Sequence, residues 1–249
     1  MTRELLVELS GPTRSVPGTE RELIDRTLRW NELFCHWPDE ARGRLVNHAR
    51  LRVYDRRTQV LAHDRQAREM LAVASGCLEV GCIDAEGRKY LHGLLGAGHI
   101  AAVVRLLDDE PLPYQYHAHE DSVIVHLACD VVLAVLAEYP QLWCEVARMG
   151  LQRQRYSLQS LHERVLSTIP QRLVVTLMRL AEYYGVSESG GVALGVRLSQ
   201  HDLAAMLGVS RQTINRELGV LIEQGILDAS YNRIVIRDPV RLKGLLQQP

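Results

Sequence analysis

The stretch 198–227, LSQHDLAAMLGVSRQTINRELGVLIEQGIL, limits what this chain can fold into more than any other. Helical spacing divides it into two short helices that meet at Gly208 and Val209. Ala204 and Gly208 stand four apart: the first is small enough for two helices to cross closely, and the second is free to take the positive φ of a sharp turn. Ser210 then caps a second helix whose buried stripe is Ile214, Leu218 and Leu221. Its other face carries Arg211, Gln212, Asn215 and Arg216, all able to bond to base edges or phosphates. Such a face fits a helix lying in the major groove, where Arg reads guanine and Gln or Asn reads adenine. The competing reading, a surface helix pair with a merely solvated polar face, loses ground to the segment after Gly225. There ILDAS and RIVIR alternate around Tyr231 and Asn232, the pattern of a two-stranded wing.

The run Ser210-Arg211-Gln212-Thr213-Ile214-Asn215-Arg216, set between LSQHDLAAMLG and LIEQGIL, resembles the Crp/Fnr superfamily of bacterial transcription regulators. The resemblance implies that Arg211 and Arg216 contact bases, and that Ser199, Gln200 and Thr213 lie near phosphates. It puts Gln212 where the family usually has glutamate. A carboxylate only accepts, from cytosine N4, whereas an amide can bond adenine bidentately, so the half-site is expected to differ from that of the catabolite activator. The implied partners are double-stranded DNA with a pseudo-palindromic operator, a second copy of the chain in a homodimer, and RNA polymerase.

A chain of 249 residues, 47% hydrophobic and 24% charged, has material for two small globular domains. No segment reaches the roughly 18 uninterrupted apolar residues of a membrane span, and MTRELLVELSG has acidic residues where a signal peptide needs an apolar core. No membrane association and a cytoplasmic location are therefore expected. Cys35, Cys77, Cys82, Cys129 and Cys144 are too scattered for a disulfide framework or a CxxC metal site. They also lack the N-terminal clustering that holds an iron-sulfur centre in some Crp/Fnr members. Charge is divided unevenly: residues 1–147 hold 16 basic and 22 acidic side chains, whereas 148–249 hold 13 and 8. The basic part is the one with the base-reading face, as phosphate neutralisation requires.

Residues 1–18 are polar, punctuated by Pro and Gly, and read as a flexible extension. Thr19 and Glu22 form a capping box that opens a helix to about Phe34, before Pro38, and a second helix covers Asp39 to His48. From Leu51 to Leu127 the chain breaks into short alternating runs, LRVY, QVLAH, MLAVASG, CLEVGCI, KYLHGLL and SVIVHL, with glycine turns between the later ones. That is the pattern of an antiparallel barrel or jelly roll, and Asp84-Ala85-Glu86-Gly87 is its clearest hairpin turn.

This region resembles the cyclic-nucleotide-binding domain of the same family, giving a sensor domain over 19–138. By that resemblance the glutamate that meets the ribose falls on Ala102 or Val103. The Arg-Ser pair for the cyclic phosphate falls on Leu112-Pro113 or Pro113-Tyr114. No Lys or Arg stands between Arg105 and Arg148, while eight acidic residues do. A buried phosphate without a cation or dense backbone amides is disfavoured, so cyclic AMP is not expected and the effector is unknown. The segment Pro111-Leu112-Pro113-Tyr114-Gln115-Tyr116 makes a stiff, partly aromatic wall suited to a neutral or apolar effector, or to a pocket filled by its own side chains. Candidate pocket residues are Ala102, Val103, Arg105, Leu112, Tyr114 and Tyr116, with Ser157 and Leu158 where the family's helix meets the adenine. His117 and His119 are expected to alternate on one strand face near His126 and His99, a weak metal or haem pattern outweighed by pocket-lining or surface roles.

From Pro140 to about Thr168 the pattern is one helix of roughly 40 Å. Ala147, Leu151, Gln154, Leu158, Leu161 and Val165 follow a heptad seam, read as a parallel dimer coiled coil with Gln154 fixing register. Residues 139–169 thus form the dimerisation helix and hinge. The DNA-binding part, 170–249, opens with the stripe Leu173, Leu177, Leu180 and Tyr184, followed by a loop at Gly190-Gly191.

The expected fold is α+β: an N-terminal antiparallel jelly-roll barrel, a long dimerisation helix and a C-terminal winged helix-turn-helix. The expected function is a homodimeric, sequence-specific regulator controlled by a signal other than cyclic AMP. An effector-independent regulator and a haem or metal sensor remain as alternatives. A cupin-like metalloenzyme needs a glutamate three or four residues beyond HxH, where Val123 and Ile124 stand. No nucleophile elbow, P-loop or HExxH is present, so an enzyme is not expected.

Overall fold

The computed structural model describes residues 19–61, 68–108, 110, 112, 114–230 and 233–247. The expected N-terminal extension, the prolines of the aromatic wall and the wing-tip residues Tyr231 and Asn232 lie outside the described residues. The chain forms two compact units. One comprises the described residues up to Cys82 with His92–Arg153, and the other Ile83–Leu91 with the described residues from Gln154 onward.

In the first unit, Thr19 Oγ1 accepts from Glu22 N while Glu22 Oε2 accepts from Thr19 N, and this capping box opens α1, Glu20–Trp30. The helix ends before Phe34 because Asn31 is extended and its side chain bonds elsewhere. Its Nδ2 donates to Gly98 O at 3.2 Å and its Oδ1 accepts from Leu33 N at 3.0 Å. The second helix, α2, is Asp39–His48, as its pattern indicated. Between the two helices Phe34 and Trp37, both buried, meet edge to face with ring centres 4.9 Å apart.

The strands are β1 Arg50–Tyr54, β2 Gln59–Leu61, β3 Glu69–Ser75, β4 Cys77–Ile83, β5 Lys89–Gly96, β6 Ile100–Ala101, β7 Gln115–Ala118 and β8 Ser122–Ala128. They make two four-stranded sheets, β1-β8-β3-β6 and β2-β7-β4-β5. The period of two divides their side chains between two cores. Leu71, Val73 and Ile124 join Leu78, Tyr116 and Ala118 inside the barrel. Met70, Ala72, Val125 and Leu127 instead pack against Leu28, Phe34, Trp37 and Leu45, and against α3, Cys129–Glu138. Burial on both faces is why MLAVASG reads as an almost continuous apolar run.

The long helix, α4, is Trp143–Leu166, starting later than its pattern implied. Pro140–Leu142 forms a 3-10 turn, in which Leu142 N donates to Tyr139 O at 3.0 Å. Its 24 residues extend about 36 Å. Thr168 caps the next helix, α5, Ile169–Tyr184, through a second capping box with Gln171, and Pro170 sits in its first turn.

The rest of the second unit comprises β9 Gly185–Glu188, β10 Gly191–Leu194, α6 Gln200–Leu207, α7 Arg211–Glu223, β11 Leu227–Ser230, β12 Arg233–Ile236 and α8 Pro239–Gly244. The expected loop at Gly190-Gly191 is in fact the tip of a β9–β10 hairpin, and the wing is part of a sheet ordered β11-β12-β10-β9. Gly191 is needed there, since a Cβ on it would lie 2.2 Å from Ile236 O. Leu173, Leu177 and Leu180 are buried under this sheet's unit, together with Leu203, Leu207, Ile214 and Leu218. Among the described residues, no helix is long and apolar enough to cross a membrane.

Two glycines with similar backbone angles separate packing from conformational strain. Gly76 turns β3 into β4 at φ 78°, and a Cβ there would lie 2.3 Å from Asp121 O and 2.4 Å from Ser122 Oγ. Gly87, at φ 77° in the hairpin turn, has nothing within 4 Å. Gly87→Ala should cost about 1–2 kcal/mol from the left-handed backbone alone, and Gly76→Ala roughly 1–3 kcal/mol more from the clash. Urea unfolding midpoints measure both, and equal losses would show that the β3–β4 turn relaxes freely.

Candidate nucleic-acid interface

Ser199 opens α6 through a capping box with Asp202: Ser199 N donates to Asp202 Oδ2 at 2.9 Å, and Asp202 N to Ser199 Oγ at 3.2 Å. The helix buries Leu203, Ala204, Ala205 and Leu207. It stops at Gly208, whose left-handed backbone (φ 65°, ψ 39°) lets its N–H and that of Val209 both reach Ala204 O. Ser210 Oγ accepts from Thr213 N at 3.1 Å and starts α7.

Ile214, Leu218 and Leu221 are the buried stripe of α7, so Arg211, Gln212, Asn215 and Arg216 are exposed together on its other side. At about 20 Å this helix suits a major groove. Thr213 is half-buried, with its hydroxyl 2.9 Å from that of Ser210.

Two partnerships within this face could not be read from spacing. Arg216 donates through Nε and Nη2 to Glu217 Oε1 at 3.1 and 2.8 Å. A carboxylate directly after an arginine gives no pattern that marks it as a partner. Gln200, at the start of α6, donates to Asn215 Oδ1 at 2.9 Å and accepts from Arg211 Nε at 3.4 Å. On the wing, Arg233 pairs with Glu188 and Arg237 with Asp228, tying β12 to β9 and β11.

The residues proposed from sequence for an effector pocket are only partly brought together. Ala102, Leu112 and Tyr116 are buried in the barrel core, and Tyr114 packs against it, edge-on to Tyr116 with ring centres 5.7 Å apart. Ala102 has a left-handed backbone (φ 59°) and donates its N–H to the Tyr116 hydroxyl at 3.0 Å. Burial pushes the Tyr116 phenol above its ordinary range, which keeps its proton in place.

Val103 turns away from the barrel because the 3-10 helix Val103–Leu106 points it at the core under α1 and α2. Arg105 is buried, and its carbonyl accepts from Arg68 Nε at 3.1 Å. Ser157 and Leu158 are exposed on α4, in the second unit.

The histidines also sit differently from their expected placement. β7 ends at Ala118, so His119 follows it in a bend, buried, with Nδ1 3.3 Å from Glu79 Oε2, while His117 remains on the strand. His99 Nδ1 lies 3.1 Å from Gly96 O. His126 is buried in a chain of its own, with Nδ1 2.7 Å from Glu69 Oε2 and Nε2 2.9 Å from the Tyr54 hydroxyl. That hydrogen bond holds the Glu69 carboxyl below its ordinary range, whereas burial raises the Tyr54 phenol.

Comparison with known proteins agrees with both halves of this description. Residues 171–245 match the family model of the Crp-like helix-turn-helix domain, and residues 51–139 that of the cyclic nucleotide-binding domain. The chain is 22% identical over 183 residues to a CRP-like cAMP-activated global transcriptional regulator of Mycobacterium tuberculosis, covering 74% of this chain and 82% of that one. It is 23% identical over 202 residues to a global nitrogen regulator of Synechocystis, covering 76% and 85%. The solved structure of FixK2 from Bradyrhizobium japonicum superposes with a TM-score of 0.70 at 19% identity, covering 79% of this chain and 96% of that one, which shows the shared fold. With a cyclic-nucleotide-type barrel followed by a Crp-like helix-turn-helix, the chain belongs to the Crp/Fnr family of DNA-binding transcriptional regulators.

Proposed function

We propose that this regulator acts as a homodimer whose two α7 helices enter successive major grooves of a pseudo-palindromic operator, under control of a signal other than cyclic AMP. The observation that carries the DNA-reading part is the joint exposure of Arg211, Gln212, Asn215 and Arg216 opposite a fully buried stripe. Half-sites about 34 Å apart then result from the symmetry of two such helices. In this reading the sensor is 19–138, the dimerisation helix and hinge 139–169, and the DNA-binding part 170–249. RNA polymerase is the further partner at the promoter.

The dimer reading is supported by the apolar stripe on α4. Leu151, Leu158, Leu161 and Val165 are 63%, 52%, 56% and 73% exposed, with Ala147 and Gln154 exposed on the same heptad seam. Four large apolar side chains left to water on one side of a helix mark a surface made for a partner. Their spacing suits a second α4 lying parallel.

Two observations argue against cyclic AMP. The amide of Ala102, which the resemblance puts at the position of the ribose-binding glutamate, is already bonded to the Tyr116 hydroxyl. The barrel interior beside it is packed with Leu71, Val73, Leu78, Leu112 and Ile124. A phosphate placed there would be desolvated with no lysine or arginine from the whole interval between Arg105 and Arg148. A signal received by the sensor reaches the reading helices along α4, which runs from one unit into the other.

Arg211→Ala should weaken binding to the cognate operator by about 1–3 kcal/mol and relax preference at one base pair. A loss equal for all sequences, in gel-shift titrations, would reduce Arg211 to a phosphate contact. Leu158→Glu should convert the dimer to monomer in sedimentation velocity, and an unchanged coefficient would remove the seam assignment. Titration calorimetry with cyclic AMP should give no saturable heat, so a micromolar isotherm would overturn the argument from the filled barrel.

A further inference from the structure

Arg216 and Glu217 are chain neighbours on α7 that differ sharply in exposure: the arginine side chain is 72% exposed and the glutamate side chain 12%. A carboxylate so far out of water needs a cation more than an exposed guanidinium needs an anion. Glu217 is therefore the fixed member of the pair, and Arg216 is the one that is held. The contact uses one edge of the guanidinium, with Nε and Nη2 both donating to Glu217 Oε1, at 3.1 and 2.8 Å. Each N–H carries a single hydrogen to give, so that edge is engaged within the protein. The end of the group, with Nη1 and the outer hydrogen of Nη2, is left as a parallel fork of donors. Such a fork matches the neighbouring acceptors N7 and O6 of guanine.

The pairing also changes what the charge of Arg216 can do. A lone arginine on a major-groove face is drawn to any phosphate within reach, which adds affinity without sequence preference. Beside Glu217 that charge is largely cancelled, while the directional bonds of the outer fork are kept. We infer that Glu217 is a positioning residue that makes Arg216 a reader of guanine instead of a phosphate anchor. This rests on the major-groove reading of α7 and deepens it, by naming the residue that sets the specificity of one contact.

The test combines selection from randomised duplex DNA with salt titrations of binding to one non-cognate duplex, using the full chain. Arg216→Ala identifies the base pair that Arg216 reads, as the position whose preference it erases, and in the wild type that position should carry guanine. Glu217→Ala should lower the guanine preference there by roughly five- to tenfold and leave the order at the other positions. It should also steepen the dependence of log K on log salt for the non-cognate duplex by about 0.9, the mark of one added phosphate contact. Glu217→Gln keeps the side-chain volume and an acceptor oxygen but loses the charge. It should give the steeper slope with a smaller loss of preference, and it replaces Glu217→Ala if thermal melting shows that variant unfolded.

Glu223→Gln removes a charge from the exposed last residue of the same helix and should leave the guanine preference intact. A sharper guanine preference in the Glu217 variants would show that the carboxylate withholds Arg216 from DNA, and would overturn the inference. So would an unchanged salt slope, an equal relaxation in Glu223→Gln, or a wild-type preference other than guanine at the position of Arg216. An Arg216→Ala profile identical to the wild type would overturn it too. If the wild type enriches no sequence at all, the operator reading fails together with it.

Discussion

The left-handed backbone at Gly208 is the constraint on which the DNA-reading half depends. It ends α6 within one residue and lets Gly208 and Val209 share the Ala204 carbonyl, so the chain turns before α7 begins. Once α7 is placed, its rotation about its own axis is set by burial. Ile214, Leu218 and Leu221 enter the core, and residues 211, 212, 215 and 216 are left outside on the opposite arc. The exposed polar face proposed to read bases is thus a consequence of apolar packing beneath it and one residue without a Cβ before it.

Elements that carry their own local signals were legible in the sequence. The capping box at Thr19 and the serine cap at Ser210 stand where side-chain chemistry placed them, and α2 matches its pattern to the residue. What escaped was set by distant partners. β6 has two residues and β9 and β10 four each, and they exist because β3 offers a ladder to β6, β12 to β10 and β10 to β9. The expected HxH face failed because β7 ends between its two histidines, and Val103 joins the core under α1 and α2 instead of the barrel because a 3-10 helix begins at it. The Gln200 bridge joins residues fifteen apart on two helices, and it becomes visible only after the turn at Gly208 has folded one onto the other.

A signal other than cyclic AMP, as proposed for this barrel, is compatible with the shared architecture, because fold and ligand depend on different residues. A solved structure with about one residue in five identical shares the fold, which depends on many apolar positions that tolerate exchange. A ligand depends on a handful of polar groups, and here Tyr116 occupies the amide of Ala102 from within. On β3, β8 and β1, Glu69, His126 and Tyr54 form a chain in which both ring nitrogens of the buried His126 have a partner.

The seam on α4 is narrow, and its narrowness carries information. A helix lying on its own domain shows a broad apolar stripe, as α5 does with Leu173, Val174, Leu177 and Leu180 all buried. The distal part of α4 instead exposes a 3-4 spaced line interrupted by Gln154. A leucine at that position would bury more apolar area, by roughly 1.5–3 kcal/mol per side chain, without favouring one alignment of two helices over another. In the proposed parallel dimer a glutamine meets its counterpart only when the two helices are in register, so it would favour that alignment. In the proposed homodimer that pairing would give two reading helices the two-fold relation a pseudo-palindrome requires, so the polar residue of the seam would serve the geometry of the DNA-binding domain that follows it.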